Sequence, residues 1–290
     1  MLSWLKGRIL DRVVKPCYRK PSFRVFDEEW DNLIILDACR YDVFQEITGL
    51  SGYRMSGGSD TTDFLKTNFS EYRDVVYITA NPFVNRFAKV RKIIPVWKYC
   101  WDYRKNTVPS EAVAYYALVT GGKKVIHFIQ PHYPYLTSGY DDGSFRKLRE
   151  SIGRDEGFVV EKETKEGFFE VVTSDVYKKL DVSVQIALYR TNLRIVLDVA
   201  LPLARALRGR TVITADHGES FGERIHPVIP FRMYGHLPGY YVDHLVKVPW
   251  VVVDGGDEVL ARKLKKRYAK TVHRLREEEK VRRISRKLRL

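Results

Sequence analysis

Arg210-Thr211-Val212-Ile213 runs into Thr214-Ala215-Asp216-His217-Gly218-Glu219-Ser220. The first four residues read as a buried strand. An adjacent Asp and His then fall at its carboxyl end, where open α/β sheets place ligands. A carboxylate beside an imidazole offers two metal-ligand atoms from one turn. The glycine after them lets backbone come close to whatever is bound. Read locally, the stretch is equally a polar strand-to-loop corner. A second apolar run far upstream, Asn32-Leu33-Ile34-Ile35-Leu36, has the continuity of a central parallel strand and ends on Asp37. Parallel strands present their carboxyl ends on one edge. Asp37, Asp216 and His217 therefore meet there, a ligand set that suits Zn²⁺ or Mn²⁺ better than Ca²⁺. Asp37 alone also fits a helix cap or an ion pair with Arg40.

Further strands are expected at Val75–Thr79, Lys124–Ile129 and Val246–Val253. The last contains Pro249, which predicts an edge position or an irregular start. A helix is expected over Ser110–Val119, with Ser110 as N-cap, Glu111 in the first turn and Gly121-Gly122 beyond its end. A longer helix is expected over Val184–Leu207, with Pro202 as a kink near its end. Strands alternating with helices predict an α/β fold with a mostly parallel central sheet flanked by helices. Residues 139–182 are mostly charged and lack strong periodicity, so they read as an insertion or lid following His132.

The apolar fraction of 44% supports a sizeable core, and no run of about 20 apolar residues suggests a membrane span. The first residues are too interrupted by charge for a secretory signal. Cys17, Cys39 and Cys100 form no CxxC pair, which fits a reducing, cytoplasmic setting. The net charge of +14 is concentrated at the ends. Residues 1–20 carry +5 and residues 261–290 carry +11, which leaves −2 on the 240 residues between. A general nucleic-acid binder is expected to be basic over its body as well. Basic ends instead suggest an anionic membrane surface, reached from the cytoplasmic side. The organisation expected is a basic amphipathic segment over 1–20, a catalytic α/β domain over 21–255 and a basic helical tail over 256–290. Leu2, Leu5, Ile9 and Val13 lie at helical spacing, which fits either an interfacial helix or one packed on the domain. Leu260, Leu264, Val272, Leu275, Val281, Ile284 and Leu288 give the tail an apolar stripe between basic faces. It reads as a solvated helix, a lipid anchor or a nucleic-acid contact. The charge at both ends favours the lipid reading.

Ser56-Gly57-Gly58-Ser59-Asp60-Thr61-Thr62-Asp63-Phe64-Leu65 is a glycine-rich turn feeding a helix. A hydroxyl there lies near backbone N–H groups and the positive helix end, and a metal would turn it into a nucleophile. As plain N-caps, Ser and Thr are equally at home. Ser59, Thr61 and Thr62 all qualify as the nucleophile.

Asp37 in LDACRYD, the GSDTTDFL turn, QPHYPY, TADHGES, Tyr234-Gly235-His236 and Val248-Pro249 stand in the order seen in the alkaline phosphatase superfamily. Over residues 30–254 the chain resembles its sulfatase-like and phosphoglycerol-transferase-like branches. The resemblance implies a divalent metal on Asp37, Asp216 and His217, with one or two ions of Mn, Zn or Mg. It selects Ser59 as nucleophile and metal contact, with Thr61 and Thr62 as rivals. It places His132 on the substrate anion or leaving group, and His236 on a second metal or the transferred group. Arg40 would hold a phosphoryl oxygen bidentately, unless it serves as a structural ion pair. The implied activity is metal-dependent hydrolysis or transfer of phosphate esters, on a lipid-linked or envelope substrate. No cysteine or Ser59 has the C/S-x-P-S-R context of formylglycine sulfatases, which argues against sulfuric ester hydrolysis, the alternative activity. No Asp-x-x-x-His pair of a two-metal enzyme stands out between the nucleophile turn and Asp216. The alternative of another class is a binding module on this fold that holds lipid or polyanion without catalysis.

Overall fold

Asn32–Leu36 is a strand buried along its whole length, and we number it β1. It lies between β5 (Lys124–Phe128) and β6 (Gly209–Thr214), parallel to both. A strand with neighbours on both edges and apolar side chains on both faces must be covered on both sides, which explains its unbroken apolar sequence. The computed structural model describes residues 15–137, 180–225 and 232–288. Around β1 stand α1 (Tyr41–Thr48), β2 (Tyr53–Met55), α2 (Thr61–Phe69), β3 (Arg73–Thr79), α3 (Val84–Phe87), β4 (Val90–Pro95) and α4 (Ser110–Val119). After β5 come α5 (Val182–Ala206), β6, β7 (Ser220–Arg224), β8 (Arg232–Gly235), α6 (Asp243–Val246), β9 (Lys247–Gly255) and α7 (Glu258–Leu288).

The main sheet has the order β2-β9-β6-β1-β5-β3-β4. Strands β6, β1, β5, β3 and β4 are mutually parallel, while β9 and β2 join antiparallel. The fold is thus α/β with a mostly parallel mixed sheet, and β7 and β8 form a separate antiparallel pair. Alternation along the strands divides the core. Ile34, Leu36, Ile126 and Phe128 pack with residues of α1, α4, α5 and α7 on one face. Leu33, Ile35, Val125 and Tyr77 pack with Phe64, Leu65 and Phe69 of α2 on the other.

Two expectations are corrected. Ser110 is the first helical residue of α4, and the flanking position is Pro109, whose extended backbone turns the chain into the helix. β9 is not an edge strand, since β2 pairs with its outer side. Pro249 fits because the pairing of β9 with β6 stops at Trp250, so the missing N–H lies outside that ladder. The basic tail packs on the domain. Leu264, Tyr268, Val272 and Leu275 are buried in the main core beside α4 and α5. Further along, Tyr103 Oη donates to Glu279, Arg283 bonds the Lys98 carbonyl, and Arg282 covers the Tyr103 ring at 3.7 Å. Pro202 lies inside α5, as expected. The 2–15 helix falls outside the described residues apart from Lys15, as does the 139–182 insertion apart from its last three residues. Val182 of that segment already begins α5.

Candidate metal centre

Strands β1 and β6 end together, and the chain then places Asp37 and Asp216 side by side. Both are buried, as is His217. Asp216 is held from three directions. Its Oδ1 accepts the N–H of Ala38 (3.1 Å) and of His217 (3.0 Å), and its Oδ2 accepts the Thr61 hydroxyl at 2.8 Å. Ala38 adopts a φ of 58°, a left-handed conformation uncommon for a residue with a Cβ, and in that conformation its N–H reaches Asp216. Tyr189, from the first half of α5, locks the same corner by donating to the Ala38 carbonyl and accepting the Arg40 N–H. Asp37 Oδ2 accepts Asn81 Nδ2 at 2.7 Å, whereas its Oδ1 is buried with no hydrogen-bond partner. Burial pushes the Asp37 carboxyl up, but the His127, His132 and His217 rings outweigh it and hold the group well below the usual range.

His217 Nδ1 lies 2.7 Å from the Gly218 carbonyl, which can only accept. Nδ1 therefore carries a proton, and Nε2 lies 3.3 Å from Thr61 Oγ1 and 3.4 Å from Asp216 Oδ2. A side chain at Gly218 would strike the His244 carbonyl, so glycine is required for the backbone approach that seats this loop.

The three candidate hydroxyls separate clearly. Thr61 is the first residue of α2, behind the N-cap Asp60, and it meets Asp216 and His217. Ser59, selected from the motif, is turned elsewhere. Its hydroxyl donates to the Leu237 carbonyl and accepts the Gly239 N–H, both at 2.8 Å. Thr62 is only half-buried. The Gly57-Gly58 turn permits this arrangement: a Cβ on Gly58 would lie 2.3 Å from the Phe64 nitrogen. Arg40 does not present its fork to a ligand. Nε and Nη2 bind Asp42 bidentately, and Nη1 meets Glu223 and the Glu219 carbonyl. Burial pulls its pKa down, yet Asp42 and Glu223 hold it above its usual value. The ion-pair alternative accounts for Arg40, in a cluster that fastens the β7 strand to the start of α1.

A second group lies beside the first. His236 Nδ1 stands 3.1 Å from Glu219 Oε1, and the His236 ring lies 4.2 Å from the ring of His217 and 5.2 Å from that of His132. His132 Nδ1 donates to the Tyr133 carbonyl at 2.6 Å. Burial lowers the His236 pKa, but Glu219 more than reverses this and raises it to about 9. Burial raises Glu219, and His236 brings it below its usual range. The structure therefore unites Asp37, Thr61, His132, Asp216, His217 and His236, and leaves Ser59 and Arg40 in supporting positions.

Among the described residues, two sets of side chains bring ligand atoms within 4.8 Å of one another and could hold a metal ion: Asp37, His127 and Asp216, and His132, Glu219 and His236. Sequence reasoning missed His127, Asn81 and the role of Glu219. Glu219 lies inside the Thr214–Ser220 motif itself. His127 is a single polar residue inside an apolar strand, and that was its signal. Asn81 gave none, because it reaches Asp37 across the sheet from the end of β3. No protein-family model matches this chain, and no curated protein matches it.

Proposed function

We propose that this protein is a metal-dependent phosphoester hydrolase or phosphotransferase with Thr61 as nucleophile. The observation that carries this reading is the Thr61 hydroxyl, 2.8 Å from Asp216 Oδ2 and 3.3 Å from His217 Nε2 at the first turn of a helix. The alkaline phosphatase superfamily resemblance of the ordered motifs supports it. The donor set fits a divalent ion, because a buried Asp37 oxygen without a hydrogen-bond partner lies 3.8 Å from His217 Nε2, which is itself 3.4 Å from Asp216 Oδ2. Asp37, Asp216, His217 and Thr61 would hold that ion, with Mn²⁺ or Zn²⁺ best suited. Once bound, it supplies positive charge that makes the Thr61 hydroxyl more acidic.

The chain's own residues supply the rest. Asp216 Oδ2 accepts the Thr61 proton, and the Thr61 oxygen attacks phosphorus in line with the leaving oxygen. The P–O bond to the leaving group breaks as the Thr61–phosphorus bond forms. His236, cationic at neutral pH beside Glu219, gives its proton to the leaving oxygen. Water or an alcohol then attacks the phosphothreonine and loses its proton to His236, the phosphorus–Thr61 oxygen bond breaks, and the Thr61 oxygen takes its proton back from Asp216. His132 neighbours His236 and is suited to orient the transferring group. Asn81 fixes Asp37 through Oδ2.

The test is turnover of p-nitrophenyl phosphate, bis-p-nitrophenyl phosphate and p-nitrophenyl sulfate, with Mn²⁺, Zn²⁺, Mg²⁺ or EDTA. Metal-dependent cleavage of a phosphate substrate, lost in Thr61→Ala and kept in Ser59→Ala, is expected. Cleavage of the sulfate alone would establish the sulfatase alternative. Silence on all three, with partner binding that survives chelation, would establish a non-catalytic module.

We also propose that the end of α7 meets an anionic membrane surface. Val281, Ile284 and Leu288 are exposed on it, among Lys280, Arg282 and Arg283. Apolar residues beside basic ones fit a lipid interface. Among the described residues no helix is long and apolar enough to cross a membrane. Deleting 261–290 would remove core residues, so the informative variant is Val281→Gln/Ile284→Gln/Leu288→Gln. Its loss of flotation with phosphatidylserine vesicles is expected, and flotation equal to wild type would reject the contact.

A further inference from the structure

β5 carries an imidazole beneath the two carboxylates, outside the set that the motifs assign. His127 is fully buried. Alternation along the strand puts it on the same face as Val125, toward α2 and Tyr77. Its Nδ1 lies 3.0 Å from Tyr77 Oη. Its Nε2 points at the acids, 3.4 Å from Asp37 Oδ2 and 3.7 Å from Asp216 Oδ2. Those separations are too long for good hydrogen bonds, and Nε2 has no hydrogen-bond partner. A buried ring nitrogen left unpartnered costs free energy unless another group meets it. The separations suit a shared ion instead. Two ligand atoms each about 2.1 Å from one tetrahedral metal stand roughly 3.4 Å apart.

We propose that His127 Nε2 is a ligand of the divalent ion held by Asp37 and Asp216, and that Tyr77 is the positioning residue that sets its tautomer. This inference rests on the metal reading above. Nδ1–H donates to Tyr77 Oη, which leaves the Nε2 lone pair facing the carboxylates. His217 and His127 then approach the pair from different sides. His217 Nε2 lies 3.8 Å from Asp37 Oδ1, while His127 Nε2 lies nearest Asp37 Oδ2. The opposite tautomer, with Tyr77 donating to Nδ1, would leave a proton on Nε2 and make His127 a competitor of the ion. The two cases predict opposite effects on metal affinity.

The experiment uses the full chain, stripped of metal and titrated with Mn²⁺ while free Mn²⁺ is followed by electron paramagnetic resonance. Wild type, Asp216→Asn, His127→Gln and Tyr77→Phe are compared. Wild type is expected to bind and Asp216→Asn to fail. His127→Gln is expected to bind at least about tenfold more weakly, and Tyr77→Phe about tenfold more weakly, the scale on which outer-shell partners act. Nitrogen couplings in the pulsed spectrum should number two in wild type and one in His127→Gln. Unchanged or tighter binding in His127→Gln, or a single nitrogen coupling in wild type, overturns the inference and leaves the metal reading standing. No Mn²⁺ binding by wild type overturns both. If circular dichroism shows His127→Gln unfolded, the wild-type spectrum and Tyr77→Phe decide.

Discussion

The two candidate ligand groups sit side by side but differ in how their charge is met. At the ends of β1 and β6, Asp37 and Asp216 face each other with hydrogen bonds that use only part of their oxygens, and Asp37 Oδ1 has no partner. Beside them, Glu219 meets His236 at 3.1 Å. Glu219 is lowered and His236 raised to about 9, so the pair neutralises itself at neutral pH. The contrast separates their roles. A group that is electrostatically incomplete calls for a cation, since buried charges need partners. A group that is already complete can stand without one and carries a proton that chemistry can use.

The largest effect that would sharpen this contrast is at the proposed nucleophile, Thr61. Thr61→Ala should lower kcat/KM for the phosphate substrate by at least about 10³-fold, on the order of 4 kcal/mol. Full activity in that variant would return the role to Ser59 or Thr62. Metal saturation should come next. Mn²⁺ at 100 times its dissociation constant is expected to stabilise wild type by about 2.7 kcal/mol, seen as a rise in Tm. Asp37→Asn should lose that rise and Glu219→Gln should keep it. A rise lost on altering Glu219 would move the ion to the second group.

A smaller effect comes from pH. The folded pKa of His236 is raised to about 9, above the ordinary 6.5. Its stabilisation is complete below 6.5 and is lost as pH climbs through about 9. Glu219 is shifted the other way, so its contribution holds above its ordinary range and fades as pH falls through its lowered folded value. Urea melts of metal-free protein should show wild type weakening between pH 6.5 and 9, and His236→Gln should remove that loss. Equal slopes in both proteins would break the pair. The smallest effect is expected at Ser59→Ala. Loss of its bonds to Leu237 and Gly239 should cost about 1 kcal/mol in the same melts while turnover stays within about threefold.

Much of this was legible in the sequence because parallel strands announce themselves. Asn32–Leu36 could be read to its ends, and Asp37 and Asp216 fall where two such runs stop. Choosing among hydroxyls was harder. Ser59, Thr61 and Thr62 lie within one turn, and only the packing of Gly58 against Phe64 and the capture of Ser59 by the 237–239 loop decide which of them faces Asp216. Asp42 stood two residues from Arg40, but Glu223, its other partner, is distant in the chain. β2 and β4 escaped notice because they are short or half-exposed edges without a strong alternation. The tail showed its charge plainly. Its apolar stripe showed as well, but not what covers it, because Leu264, Tyr268, Val272 and Leu275 pack beside α4 and α5, which are distant in the chain.

Asp37 and Asp216 are proposed to hold a divalent ion, while the Glu219–His236 pair does not require one. The most direct test is the metal content of the full chain after Mn²⁺ loading and dialysis, compared among wild type, Asp216→Asn and Glu219→Gln. About one equivalent is expected in wild type and in Glu219→Gln, and almost none in Asp216→Asn. Metal retained by Asp216→Asn, or lost only in Glu219→Gln, would contradict it.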